Sequence, residues 1–385
     1  MSSEQTRKRL DNQDRILRHL RLAGADQRSS MSDVLKIRKS SVTSICRELL
    51  DRGVLLEREP GVFRSPLGLD PTYFKAAVLD IKQSGATTAI VTVDGTIEHR
   101  AEHPAPKEGA SAGDQLKDHA RNLKSTIADS GASVLGVGCC FPGITQAETG
   151  KSVFAINLPS GWRDVEITAP LQSALSLGVT VESDASCELL GNWWFKPWGK
   201  EQDSAIYLSI DEGIGCAQLN RGRLIRGRHF AAGELGCLTS GDEGRPCLCG
   251  KRDCLQTYCA SAPLLAGLAE KLGSVVGKDI SEVATLIGQK PELASALAIL
   301  LRPLADKLAT VVALTDPDVL VIATADEAFT AQICTALDGL MRESLKGLYS
   351  EQISVQEGFQ CSEASLLGAA AAVFRKSFTA SEIRV

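Results

Sequence analysis

Four cysteines stand where they could hold a metal. Cys247, Cys249 and Cys254 lie in a glycine-flanked turn, and Cys237 sits ten positions before the first of them. Zinc favours soft or borderline ligands in a tetrahedron, and four thiolates complete that shell without another residue type. Gly241, Gly244, Pro246 and Gly250 supply the turns that let so short a loop bring its sulfurs together. The chain carries 12 cysteines, and residues 1–7 have no apolar run behind them, so no secretory signal is read there. A reducing, cytoplasmic setting follows, in which thiols stay available to a metal. The expectation is a structural Zn2+ site on Cys237, Cys247, Cys249 and Cys254.

A second chemically suited set is Arg38, Lys39, Ser40, Ser41, Thr43, Ser44 and Arg47. Short hydroxyls flanked by cations suit the phosphates and base edges of a DNA major groove. In the same stretch Val42, Ile45, Leu49 and Leu50 recur at helical spacing, which turns the polar set outward. Ser40 or Ser41 is available to cap that helix, and Gly53 stops it.

The elements that must position this helix are readable around it. Residues 11–22 place Ile16, Leu17, Leu20 and Leu22 in helical register and end at Gly24. A second short helix is read over residues 32–35, and residues 54–63 read as two short strands around Gly61. Three helices and a hairpin make a winged helix-turn-helix over residues 1–63. The interval between its second and third helices reads a few residues short, which keeps open a partner-binding module with vestigial DNA contacts.

Charge is divided along the chain. Residues 1–65 hold 14 Lys and Arg against 9 Asp and Glu, and the remainder 28 against 38. A basic head on an acidic body points to a polyanion met by the head alone. No apolar stretch reaches the ~20 residues of a membrane span. Residues 64–73, with two prolines and a glycine, read as a linker. Beyond them the texture is α/β. Strands are expected over residues 76–81, 87–93, 134–140, 178–183, 204–210, 214–219 and 319–323, and helices over 261–272, 293–314 and 364–374. Residues 74–385 therefore read as two α/β lobes.

Seven motifs in this region resemble, in order, those of the ROK family of repressors, open reading frames and kinases. They are Phe-Pro-Gly at 141–143, Asn-Leu-Pro-Ser-Gly-Trp at 157–162, Glu-Ser-Asp at 182–184, Gly-Ile-Gly at 213–215, Gly-Arg-Leu-Ile-Arg-Gly at 222–227, Ala-Gly-Glu-Leu-Gly at 232–236, and the cysteine loop. The resemblance implies an α/β, two-lobed actin-like (ribonuclease H-like) ROK sugar-kinase fold behind the winged helix-turn-helix. It implies a sugar-binding cleft in which Asn157, Asp184, Glu234 and Gln256 meet hydroxyls. Members with such a head are transcription regulators of the xylose- or N-acetylglucosamine-repressor kind. Their partners would be a double-stranded DNA operator, a sugar or sugar phosphate effector, and further copies of the chain in a homodimer or tetramer.

Departures from the pattern choose the branch. Where sugar kinases keep a glycine-rich phosphate hairpin, this chain has Asp80, Ile81, Lys82, Gln83 and Ser84. The second phosphate loop carries Asp211 and Glu212, which would repel polyphosphate, and Ala323 and Thr324 stand in place of the adenosine-side glycines. The expectation is a regulator that is not an enzyme, with a sugar kinase bearing a DNA-binding head as the alternative. At the sugar end Ser183, Cys237 and Gln256 replace the family's asparagine, histidine and glutamate.

Overall fold

The structure, a computed structural model, describes residues 3–107, 109–155, 158, 161–271, 273–275, 277–347 and 353–378. Its head runs through α1 (Ser3–Ala23), β1 (Ala25–Asp26), α2 (Arg28–Leu35), α3 (Lys39–Asp51), β2 (Leu55–Glu57) and β3 (Leu67–Leu69). Ile16, Leu17 and Leu20 of α1 are buried, as are Met31 of α2 and Val42, Ile45, Cys46 and Leu49 of α3. On α3 those positions follow the i, i+3, i+4, i+7 stripe of a helix that hides one face. The strands form one antiparallel sheet in the order β1-β3-β2. The head is a winged helix-turn-helix.

Several expectations shift here. α2 begins at Arg28, not at residue 32, so the second helix is twice as long as read, and residues 36–38 are the turn before α3. Three residues match the roughly 3–4-residue turn of a helix-turn-helix. Lys36 takes the left-handed conformation that closes α2. The third helix is not capped by Ser40 or Ser41, which lie inside it; its N-cap is Arg38, with no side-chain cap. Cys46, not Leu50, completes the buried stripe, because 42, 46 and 49 line up on one face. The wing's return strand is β3, inside the stretch read as a linker over 64–73. Prolines beside it hid a strand whose hydrogen bonds all run to β1 and β2.

The chain divides into two compact units, residues 1–139, 167–181 and 369–385, and residues 140–166 and 182–368. In the first, β4 (Lys75–Lys82), β5 (Gly85–Thr92) and β6 (Ile97–Pro104) form an antiparallel meander, followed by α4 (Ala112–Ser130) and β7 (Val137–Phe141). Next come β8 (Ile144–Gln146), β9 (Lys151–Phe154) and β10 (Val165–Glu166), a small antiparallel sheet of the second unit. After α5 (Thr168–Leu175), β11 (Val179–Ser183) completes a sheet ordered β11-β7-β4-β5-β6.

The second unit continues with α6 (Asp184–Phe195), β12 (Ala205–Ile210), β13 (Ile214–Asn220) and β14 (Arg223–Leu224). It goes on through the cysteine loop to α7 (Gln256–Cys259), α8 (Ser261–Lys271), α9 (Ile280–Gln289), α10 (Pro291–Thr315), β15 (Val319–Thr324), α11 (Glu327–Ser344), β16 (Ser354–Glu357) and α12 (Cys361–Ser377). Its sheet is ordered β14-β13-β12-β15-β16, with β12, β15 and β16 parallel. Ile206, Leu208, Leu320 and Ile322 of that sheet share one apolar core with Leu297, Leu301, Leu304 and Leu308 of α10 and Phe329 and Ile333 of α11. Among the described residues, no helix is long and apolar enough to cross a membrane.

α6 and α12 cross at glycines. A Cβ on Gly368 would lie 1.6 Å from the carbonyl oxygen of Cys187, and one on Gly191 would lie 2.4 Å from that of Ala364. Gly368→Ala is therefore expected to cost about 1–3 kcal/mol by forcing the helices apart. Gly339, exposed on α11, has nothing within 4 Å of a built Cβ. Gly339→Ala is expected to stabilise by about 0.5–1 kcal/mol through backbone entropy and helix propensity. Urea midpoints of the two variants should move in opposite directions; a Gly368→Ala midpoint equal to wild type would refute the crossing.

Candidate functional site

α3 carries its two faces as the spacing implied. Arg38, Lys39, Ser40, Thr43, Ser44 and Arg47 are exposed and Ser41 is half-buried, opposite the buried stripe. Thr43 turns its hydroxyl back, donating to the Lys39 carbonyl at 2.9 Å. The first turn holds no acid, so the positive end of the helix dipole and two cations face the same way.

Two arginines outside the expected set complete this surface. Arg9 of α1 donates to Ser44 Oγ at 3.3 Å and pairs with Glu48, and Arg52 Nη1 lies 3.6 Å from Glu48 Oε1. They neutralise an acid that would otherwise repel phosphate. A shallow groove is lined by Arg9, Ser40, Thr43, Ser44, Arg47 and Arg52, with Glu48 and Asp51. The Glu48–Arg52 pair has i, i+4 spacing and was readable. Arg9 was not, because only the packing of α1 on α3 brings it there.

The sugar-site candidates of the second unit gather around the start of β13. Asp184 opens α6 and accepts the Ala185 N–H at 2.8 Å. A Cβ on Gly215 would lie 3.3 Å from the Cβ of Ala185. Opposite, Gly233 approaches the carbonyl of Cys216 so closely that a Cβ would sit 2.1 Å from it, and Gly236 packs similarly on Ile214. This seats Glu234 over the same strand. Glu234 is reachable from solvent, yet the surrounding protein pushes its carboxyl up and Lys251 pulls it partly back. Gln256 Oε1 would lie 3.2 and 3.1 Å from Cβ atoms built on Gly213 and Gly236. Asp184, Glu234 and Gln256 thus surround one glycine-lined strand end. Asn157 lies outside the described residues. Sequence reasoning missed Arg226, which grips Glu182, a buried carboxylate two residues before Asp184, through both Nε and Nη2.

The cysteine loop is built by its own hydrogen bonds. Asp253 accepts the N–H groups of Gly244 and Arg245 at 3.0 and 2.9 Å and the Tyr258 hydroxyl at 2.6 Å. Gly241 is required there, since a Cβ would fall 2.2 Å from that hydroxyl oxygen. The sulfurs of Cys237, Cys249 and Cys254 lie within 4.8 Å of one another. Four thiolates around zinc sit roughly 3.8 Å apart for bonds of about 2.3 Å, so the donor set fits a thiophilic metal. Burial pushes Cys237 and Cys254 up to about 12. Burial raises Cys249 too, but hydrogen bonds from the Lys251 N–H and the neighbouring thiols outweigh it and hold this thiol below its ordinary range. Cys247 touches two of the other three thiols and lies farther from the third. Its sulfur lies outside the mutual group and accepts the Gln256 amide N–H at 3.0 Å, although it also bonds to the Cys249 and Cys254 thiols.

At the hairpin of residues 80–84, Asp80 is buried and lies 3.5 Å from Lys82 Nζ. The glycine that follows, Gly85, packs on β6 with a built Cβ 2.1 Å from the His103 carbonyl.

A winged helix-turn-helix followed by α/β sheets, with a thiol cluster next in sequence to Glu234, defines the class. The protein belongs to the ROK family, whose pattern matches residues 77–376. The xylose repressor of Bacillus spizizenii is 27% identical over 295 residues, 74% of each chain. The glucokinase of Halalkalibacterium halodurans is 32% identical over 191 residues, 48% of this chain and 57% of the enzyme. A crystal structure of a ROK family transcriptional regulator homologous to the E. coli MLC protein covers 97% of this chain and 98% of its own, with 18% identity and a TM-score of 0.79. That likeness extends the shared fold through the head.

Proposed function

We propose that this protein is a sugar-responsive DNA-binding transcription regulator, acting as a repressor and as a homodimer or tetramer in the cytoplasm. The observation that carries the reading is the outward face of α3, where Lys39, Ser40, Ser44 and Arg47 are free of the core and Arg9 and Arg52 cancel the nearest acid. Paired heads set α3 in successive major grooves, with Arg38, Lys39 and Arg47 on phosphates or base edges and the hydroxyls of Ser40, Ser41, Thr43 and Ser44 between them. The xylose repressor kinship supports both the repressor assignment and the sugar.

Asp184, Glu234, Gln256 and Asn157 form the effector set. Carboxylates and amides accept sugar hydroxyls well. Binding shifts DNA affinity only if the effector prefers one of two states of the protein. The side chains of Lys82, Gln83, Asp211 and Glu212 at the former phosphate loops support a regulator without kinase activity. Cys237, Cys249 and Cys254, with Cys247 beside them, are the ligands for a structural zinc. Bound there, zinc supplies a cross-link that stiffens the loop between Glu234 and Gln256.

The test is a gel shift on DNA upstream of the protein's own gene, repeated across salt and with a panel of sugars and sugar phosphates. Specific complexes that weaken steeply with salt are expected, and one sugar should shift them. Asp184→Asn is expected to raise the sugar concentration needed by about tenfold or more, the scale of a lost charged hydrogen bond. Transfer of the ATP γ-phosphoryl group to a sugar hydroxyl by the wild type, with release of ADP and a proton, would overturn the non-enzymatic reading.

A further inference from the structure

We propose that Arg226 and Glu182 are a positioning pair that holds Asp184 and Glu234 at a fixed spacing and so sets which sugar epimer the site accepts. The inference rests on the effector reading above and adds to it the source of the site's selectivity. All four residues belong to the second unit.

Glu182 stands next to last in β11, two residues before Asp184, which opens α6. Its side chain is only 7% exposed, and the Arg226 guanidinium closes on it from two nitrogens. Nε donates to Oε2 at 3.2 Å, and Nη2 donates to Oε1. A fork of two bonds fixes direction as well as distance, which a single ammonium contact would not. The carboxylate end of that fork is part of the strand that delivers Asp184.

The guanidinium end belongs to the segment that delivers Glu234. Ile225 N–H donates to the Gln218 carbonyl at 2.9 Å, which fastens the chain to β13 just before Arg226. The Arg226 carbonyl accepts Ala232 N–H at 3.1 Å, and Phe230 N–H donates to the Gly227 carbonyl at 3.4 Å. Residues 227–231 are thereby closed into a small loop. The chain leaves it through Gly233, whose backbone is pressed against Cys216, and passes directly into Glu234. The side chain of Arg226 therefore joins the two backbone pieces that carry the carboxylates of the effector set.

Energetics separates this role from plain support. A buried ion pair adds little net stability, because desolvation offsets the attraction, and an apolar pair of similar volume often folds as well. An apolar pair cannot hold two segments in one angular relation. Discrimination between epimers needs that relation, since they differ only in where one hydroxyl points, and only fixed acceptors reject the wrong one. Arg226 also cancels the charge of Glu182, which would otherwise stand uncompensated two residues from Asp184.

The test measures sugar binding to the full chain by isothermal titration, alongside the melting temperature and DNA binding without effector. The probes are D-glucose with its epimers D-mannose and D-galactose, and D-xylose with its epimer D-lyxose, each free and as its terminal phosphate. Arg226→Lys keeps the charge and loses the fork. It is expected to weaken binding of the preferred sugar by about 10- to 100-fold, the range for residues that orient a binding group, and to lower its preference over the epimer by about tenfold. DNA binding without effector should stay as in wild type. Arg226→Met leaves Glu182 buried and unpaired and should melt lower; adding Glu182→Met should recover the melting temperature but neither the affinity nor the preference. Recovery of all three in the double variant, wild-type binding by Arg226→Lys, or a wild type that does not distinguish epimers overturns the positioning role and leaves the sugar reading intact. A wild type that binds none of these probes overturns both.

Discussion

Lys39→Ala combined with Arg47→Ala is expected to reduce affinity for the specific site by about 30- to 20,000-fold. One base-edge arginine accounts for about 1–3 kcal/mol of discrimination, and a phosphate-bound lysine adds a salt-dependent share of similar size. Both side chains are exposed on α3, opposite Val42, Ile45, Cys46 and Leu49. Their removal opens no cavity, so a melt should not move by more than the few tenths of a kcal/mol usual at surfaces. The slope of log affinity against log salt should fall as well, because fewer counterions are released. Arg9→Ala is an independent check. It leaves Glu48 with Arg52 alone, and that carboxylate would then face phosphate, so binding should weaken although Arg9 itself is not on α3. Unchanged affinity and slope in the double variant would sink the DNA-binding role of α3 and return the head to a protein-docking function.

Cys249→Ser is expected to empty the metal loop and to blunt the response to effector together. Losing a partner that only supports a metal ligand typically costs about 10–100-fold in affinity, and losing a ligand costs more. Metal content by atomic emission should fall from one zinc per chain to near zero. The coupling to effector follows from placement. Glu234 lies directly before the turn Leu235–Cys237, and Gln256 donates to Cys247 Sγ while its oxygen faces Gly213 and Gly236. A loosened loop therefore moves two of the effector's partners, and the effector concentration needed should rise by at least about tenfold. DNA binding without effector should survive, since the head's own core holds no cysteine of the loop. Full zinc content in Cys249→Ser would exclude that ligand, and an unaltered effector response in a zinc-free variant would exclude the coupling. Cys247→Ser separates the fourth position: retained zinc there would mean that Cys247 serves Gln256 and not the metal.

Much of this was legible in one dimension. The α3 stripe, the strand runs over 204–210 and 214–219 and the cysteine spacing are local patterns, set by side-chain periodicity and turn chemistry, and the structure carries β12, β13 and the clustered sulfurs of Cys237, Cys249 and Cys254 there. The outward polar set of α3 was readable for the same reason. What the sequence left hidden is non-local. β3 is a strand only because β1 and β2 offer it partners on both sides, and its flanking prolines argue for a linker until those partners are present. The first three residues of α2, Arg28, Ser29 and Ser30, are all polar, so its first turn cannot be seen from apolar periodicity.

By itself, then, the sequence determined most classes of element, the family and the residues capable of chemistry, because each depends on residue type at short range. The tertiary structure alone decided which of them meet. Packing of α1 on α3 delivers Arg9 to Glu48 and Ser44, 35 residues away at Ser44. Close backbone approach at Gly215, Gly233 and Gly236 brings Asp184 and Glu234 to one strand end. The fold of the loop sets Cys247 against the Cys249 and Cys254 thiols and the Gln256 amide at once. Those contacts join segments far apart in the chain, and their geometry follows from how whole elements pack, which no local pattern of residues encodes.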